Sequence, residues 1–243
     1  MNSNLKKYKD IHKGKRVFLI GNGPSLKDTE LDLIKGEYSI AMNGISEIFG
    51  KTKWRPSYYV YTSTMIENKD WENVWSKFVD NVLKEDIIKA FIWRRFSRII
   101  NDKYNNIEWL NNVTDNKGNY LISEKWWPKN IEERIDKSAT TMNVALQLAN
   151  YMGFNEIILL GCDLMKESTD VKNDQNHFCK LYYKPFGNDK NKISKYNEKI
   201  KNVYILARKN IPQNIKIYNA SLITKLDVLP KIDYKLYLKS NKI

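Results

Sequence analysis

The sequence predicts an α/β fold: a mostly parallel sheet with helices on both faces and a small lid segment over one cleft. Three observations carry this. Short apolar runs of strand length alternate with stretches of helical spacing. The first run ends in a glycine-rich turn, GNGPS at residues 21–25. Polar residues able to hold a ligand recur just after the apolar runs, where open parallel sheets bind ligands, beyond the carboxyl ends of their strands. Strands joined by helices run parallel and are covered on both faces, and 243 residues suffice for one domain, 1–243, with one cleft.

Residues 16–20, RVFLI, are apolar with β-branched and aromatic members and read as a buried strand. Residues 27–35 have apolar side chains at 31, 33 and 34 and acids in the first turn, predicting a short helix that stops near Gly36. Strands follow at 38–42 and, after Pro56, at 58–61. Residues 71–83 are apolar at 71, 74, 75, 78, 79, 82 and 83, a helical period, and 87–93 reads as the fourth strand. From 94 to 135 the chain is polar and tryptophan-rich without a period, and no element is assigned there. Residues 138–152, SATTMNVALQLANYM, regain the helical period and end at Gly153, with Ser138 as the expected N-cap. The run EIILLG at 156–161 is a buried strand whose end carries Gly161 and Asp163. Residues 165–192 are polar, and because periodic structure resumes beyond them they read as a lid rather than a linker. A helix over 194–209 and a strand over 215–218 follow, the latter running into NASLIT, and the tail is unassigned.

Composition limits the partners. Forty-one Lys plus Arg against 28 Asp plus Glu give a net charge of +13, which favours anionic partners, although the lysines are dispersed along the whole chain. No nucleic-acid-binding motif accompanies the charge, so nucleic acid is not an expected partner. Two cysteines, Cys162 and Cys179, fit neither a disulfide framework nor a zinc site and read as free thiols. With no apolar run of about 18 residues and a polar start, MNSNLKKYKD, the expected location is the cytoplasm.

The candidate site follows from the strand ends. In the first turn Gly21 and Gly23 let the backbone approach a ligand, while Asn22 and Ser25 offer side chains to a phosphate; an ordinary tight turn is the competing account. Asn43, Gly161, Asp163, Asn219 and Ser221 fall after later strands and converge on the same edge. Asp163 suits a ligand hydroxyl or a metal, or caps a turn through its own backbone. Thr140 and Thr141 open a helix and suit a phosphate or carboxylate, or plain capping. His177, in NDQNHF, suits a general base, against a surface histidine as the plainer reading. The tryptophans read as core and rim packing, with Trp126 and Trp127 the exception worth testing.

Together VFLIGNGPSL, AMN, the 138–164 block and NDQNHF resemble bacterial sialyltransferases of glycosyltransferase family 42, over about residues 16–223. The same GNGPSL and GxD elements resemble the broader 6-hydroxymethylpterin diphosphokinase-like domain shared with motility accessory factors. The first resemblance implies a Rossmann-like nucleotide-sugar-binding domain that takes a CMP-sugar donor without a cofactor or metal and transfers an acidic sugar to a glycan acceptor with inversion. It implies donor-phosphate contacts from Asn22 and Ser25, a nucleotide or sugar contact from Asn43, sugar contacts from Thr140 and Thr141, and His177 as general base. Met165 stands where that family has a phosphate-binding tyrosine, so Tyr182 and Tyr183 are the substitutes to consider. The second resemblance implies a Mg²⁺-dependent diphosphokinase with Asp163 and Asp170 or Asp174 as ligands. A catalytically idle nucleotide-binding module of surface-polysaccharide assembly is the third reading. The basic charge adds an expected lipid-linked acceptor and peripheral contact with an anionic membrane at the inner face.

Overall fold

The computed structural model describes residues 4–100, 104–112, 127–164, 176–179 and 190–240. Its elements in chain order are β1 (Arg16–Ile20), β2 (Ser39–Met42), β3 (Tyr58–Tyr61), α1 (Glu72–Leu83), β4 (Lys89–Trp93), β5 (Ile107–Leu110), α2 (Thr141–Tyr151), β6 (Glu156–Leu160), α3 (Lys190–Asn210), β7 (Lys216–Asn219) and α4 (Tyr234–Ser240). The seven strands form one sheet in the order β5-β4-β3-β2-β1-β6-β7, and each pairing is parallel. This is a Rossmann-like α/β fold. Successive residues of β1, β2, β3, β4 and β6 are buried without alternation, as expected of strands covered on both faces. Helix α2 packs across β1, β2 and β3 and against α3.

The chain lays β1 to β5 outward in one direction, then returns to set β6 on the other side of β1. A reversal of strand order opens a crevice at the carboxyl ends of the two strands that flank it. The register pairs Ile20 with Leu160, so Gly21 and Gly161 leave the sheet side by side. The Gly21 N–H still donates to Leu160 O at 2.8 Å.

Three elements differ from the sequence expectation. The short helix expected over 27–35 is instead two 3-10 turns, Pro24–Asp28 and Leu31–Ile34. Strand β5 lies in the unassigned polar stretch: it is a sheet edge, and its Glu108 pairs with Lys7 and Lys89 rather than facing an apolar layer. The tail forms α4, where Tyr234 is buried and its hydroxyl accepts from Glu30 N at 3.0 Å. The N-terminal segment is pinned by His12, which stacks on Phe154 with ring centroids 4.6 Å apart and holds Tyr58 Oη at 2.6 Å from Nε2. Among the described residues no helix is long and apolar enough to cross a membrane.

Candidate active site

A cleft of about 260 Å³ opens at the carboxyl edge of the sheet, with Gly21–Gly23, Asn43, Lys137, Thr140, Thr141, Gly161–Asp163, His177, Tyr196 and Tyr204 in its walls. Close approach explains the glycines of the first turn. A methyl group at Gly21 would stand 2.4 Å from Gly161 O, and one at Gly23 would stand 2.4 Å from Asp163 Oδ2 and 2.8 Å from Gly161 O. The turns after β1 and β6 are thus interlocked, and Gly23 N donates to Gly161 O at 2.8 Å.

The turn is not an open phosphate cradle. It leads into a five-residue 3-10 turn, and the Ser25 N–H that would meet a phosphate donates instead to Asp163 Oδ2 at 2.8 Å. Ser25 itself is buried, and its hydroxyl is outside the cleft wall. Asn22 donates from Nδ2 to Met42 O at 3.0 Å. That carbonyl only accepts, so the orientation of the amide is fixed, leaving Oδ1 as a buried acceptor with no hydrogen-bond partner among the described residues. The side-chain oxygens at this end, the buried Asn22 Oδ1 and the Asp163 carboxylate, are acceptors and oppose a phosphate there.

Asn43 sits at φ 52°, an uncommon conformation for a residue other than glycine. It is held by Tyr59 Oη donating to its carbonyl at 2.6 Å and by its own N–H donating to Val60 O at 3.2 Å. Backbone strain of this kind costs about 1–3 kcal/mol and gathers at functional sites. Its Oδ1 accepts from Thr141 Oγ1 at 3.4 Å, and Thr141 Oγ1 also meets Thr62 Oγ1 at 2.7 Å.

The N-cap of α2 is Thr140, whose Oγ1 accepts from Met142 N at 3.3 Å, and not Ser138 as the sequence suggested. Ser138 stands at φ 50°, two residues too early, with its N–H donating to Asp136 Oδ1 at 3.1 Å. Asp136 is buried at the centre of a clamp: Asn143 Nδ2 reaches its Oδ2 at 3.3 Å, and Gln147 Nε2 reaches its carbonyl at 2.6 Å. Burial pushes the Asp136 carboxyl up to about 6, against the lowering effect of the Ser138 N–H. The clamp fixes the approach to α2 and so presents Thr140 and Thr141 to the cleft.

His177 lies in the cleft wall, half-buried. Its segment is tied to the glycine turn because Phe178 N donates to Asn22 O at 3.0 Å and the Phe178 ring is buried. Gly21, Asn22, Gly23, Asn43, Thr140, Thr141, Gly161, Asp163 and His177 thus share one cleft. Asn219 and Ser221 do not line it: Asn219 Oδ1 accepts from Ser221 N at 3.1 Å, and Ser221 Oγ accepts from Cys162 N at 2.8 Å, bracing the turn after β6 from behind. Tyr182, Tyr183, Met165, Asp170, Asp174, Trp126 and most of the 165–192 lid lie outside the described residues. Among the described residues no three His, Cys, Asp or Glu side chains gather to hold a metal.

Several wall residues escaped the sequence reading. Tyr196, Ile200 and Tyr204 come from α3 at four-residue spacing, a stripe that the predicted helix already contained. Tyr196 Oη donates to Ala139 O at 3.2 Å. Cys162 is a wall thiol pushed up to about 12 by burial and by Asp163, which disfavours its thiolate. Lys137 enters from the loop before α2, with Nζ donating to Thr62 O at 3.2 Å and standing 5.6 Å from the centroid of the Trp93 ring. Burial, and the Arg95 charge to a lesser degree, pull its ammonium down to about 8. Nothing marks this lysine in a lysine-rich sequence except its place directly ahead of SATT, three residues before the Thr140 cap.

The family model described as 6-hydroxymethylpterin diphosphokinase MptE-like matches residues 1–169. No curated protein sequence matches the chain significantly. Among solved structures, the MAf glycosyltransferase from Magnetospirillum magneticum AMB-1 superposes with a TM-score of 0.57 at 16% identity, over 94% of this chain and 37% of that one. The chain therefore spans little more than a third of that protein's length. The sialyltransferase CstII from Campylobacter jejuni, in complex with cytidine-5'-monophosphate, is also similar, with a TM-score of 0.47 at 14% identity over 90% of this chain and 85% of that one. At 16% identity the likeness to the MAf glycosyltransferase speaks for the fold alone.

Proposed function

The chain belongs to the 6-hydroxymethylpterin diphosphokinase MptE-like family, and from that premise and the cleft we propose that it is a glycosyltransferase. It moves an acidic sugar of the sialic acid kind from a CMP-sugar donor to a glycan hydroxyl, with inversion and without a metal. The observation that carries this reading is His177, which shares a cleft with Asn43, Thr140 and Thr141 while its neighbour is hydrogen-bonded to the glycine turn. A neutral imidazole takes the proton of the acceptor hydroxyl as that oxygen attacks the anomeric carbon. The bond from that carbon to the donor phosphate breaks on the opposite side, its electron pair leaving with CMP. Asn22 Oδ1 and the Asp163 carboxylate accept from hydroxyls of the ribose or sugar, and the first turn of α2 faces the charged part of the donor. The same fold serves a protein named as a glycosyltransferase.

The family's descriptor favours a second reading, diphosphoryl transfer from ATP. This needs Mg²⁺ between phosphates and carboxylates, and Asp163, the one carboxylate among the described wall residues, already accepts the Ser25 N–H. A thermal-shift panel separates the two, because a ligand of the folded state raises the melting temperature. Stabilisation by CMP and CMP-sialic acid without Mg²⁺ is the expected result; stabilisation by ATP with Mg²⁺ alone would replace the first reading with the second. The acceptor in this proposal is a lipid-linked or phosphorylated glycan approached through the +13 charge. Binding to anionic vesicles that ignores added salt would count against that part.

A further inference from the structure

We infer that Lys137 is the anion-recognising residue of the cleft, taking one carboxylate or phosphate of the ligand at the end of the cleft beyond β3 and β4. The inference deepens the proposed glycosyl transfer and rests on it for the identity of the ligand. The side chain is part of the cleft wall, together with Ser63, Met65 and Trp75. Its two direct contacts are neutral, Thr62 O taking one of its three N–H donors at 3.2 Å and the Trp93 ring lying 5.6 Å away, and the charge that acts on it is the like charge of Arg95. Among the described residues no carboxylate forms an ion pair with it. Glu67 is bound to Arg95, at 2.6 Å for the shortest contact, and the Asp136 carboxylate turns to Ser138 N and Asn143 Nδ2.

Lys137 is half-buried, and a cation partly withdrawn from water with no counter-charge carries a cost that an anionic ligand would offset. The depressed ammonium agrees with that cost. Two further features favour a ligand anion here. Thr140, Thr141 and Met142 line the same cleft, so the positive end of α2 adds to the field of Lys137. The other end carries the acceptors Asn22 Oδ1 and Asp163, so the cleft is polarised along its length. A ligand with hydroxyls at one end and a negative group at the other matches it. In a donor such as CMP-sialic acid the negative group is either the sugar carboxylate or the leaving phosphate.

Calorimetric titration of the wild type, Lys137→Met and Lys137→Arg with cytidine, CMP, CMP-sialic acid and ATP with Mg²⁺ tests this. Lys137→Met should weaken CMP-sialic acid by about tenfold or more, the scale of one charge-assisted hydrogen bond in a desolvated site. It should leave neutral cytidine within about twofold, and Lys137→Arg should restore part of the loss. Loss confined to CMP-sialic acid assigns the sugar carboxylate; equal loss for CMP assigns the phosphate. If the wild type binds ATP with Mg²⁺ and no cytidine compound, glycosyl transfer fails as a reading. The ATP affinity of Lys137→Met then decides the role of the lysine by itself. Equal weakening of cytidine and the charged ligands, no weakening of any, or a wild type that binds no anion would each overturn the inference. Lys137→Gln, neutral but able to keep the Thr62 hydrogen bond, replaces Lys137→Met if that variant fails to fold.

Discussion

Replacing Gly23 by alanine should destabilise the fold even though the backbone there suits any residue. Gly23 has φ −67° and ψ 163°, so on conformational grounds alanine would add about 0.4–1 kcal/mol by restricting the unfolded chain. Sterically the new methyl would stand 2.4 Å from Asp163 Oδ2 and 2.8 Å from Gly161 O. The carboxylate can move, but doing so gives up its 2.8 Å bond from Ser25 N, worth about 1.5–3 kcal/mol for a charged acceptor. The Gly161 carbonyl is backbone already accepting from Gly23 N, so the clash adds an overpacking cost of about 1–3 kcal/mol. The balance is a loss of about 2–5 kcal/mol, or roughly 5–15 °C in melting temperature for a chain of this size. Urea unfolding followed by tryptophan fluorescence measures it. Gly50, where an added methyl meets nothing within 4 Å, is the control, and Gly50→Ala should change stability by no more than about 1 kcal/mol. Adding Asp163→Ala to Gly23→Ala should cost less than the sum of the two, since both act on one contact. A Gly23→Ala protein as stable as the wild type would refute the interlocked-turn account.

Thr140→Ala should cost about 0.5–2 kcal/mol through loss of the α2 cap, while Ser138→Ala should cost less because Ser138 caps nothing; paired denaturation curves check the order. His12 is held below its ordinary 6.5 by burial, so the unfolded chain takes up its proton first and stability rises with pH across that window. What His12 contributes is present above pH 6.5 and lost as pH falls through its lower folded value. The melting-temperature advantage of the wild type over His12→Phe should therefore shrink on acidification, and an advantage that grows would contradict this.

The sheet was legible because its central strands are buried on both faces, and runs such as RVFLI and EIILLG leave no other reading. β5 was hidden because IEWL sits at an edge, where Glu108 satisfies Tyr8 and Lys7 instead of a core. The cap of α2 was ambiguous because SATT offers three hydroxyls, and only the positive φ of Ser138 selects the later one. Strand-end logic brought Asn43 and Asp163 to the cleft, and His177 was read from its place in NDQNHF, yet strand-end logic could not tell Asp163 as a ligand contact from Asp163 as partner of Ser25 N. Asn219 and Ser221 follow a strand too, but β7 is at the sheet edge, one strand beyond the β1–β6 crevice, so they brace it rather than line it. Lys137 was unreadable because its meaning lies in what it lacks among the described residues, a carboxylate partner, and only packing reveals that.

The measurement that bears most directly on the proposed transfer is release of CMP from CMP-sialic acid in the absence of divalent metal, with water as acceptor if no glycan is supplied. Wild-type protein should release CMP, and His177→Ala should bind the donor with affinity within about twofold while turning it over some 10²–10⁴ times more slowly, the usual contribution of a general base. Equal CMP release by the two proteins, or none by the wild type with donor bound, would contradict the account.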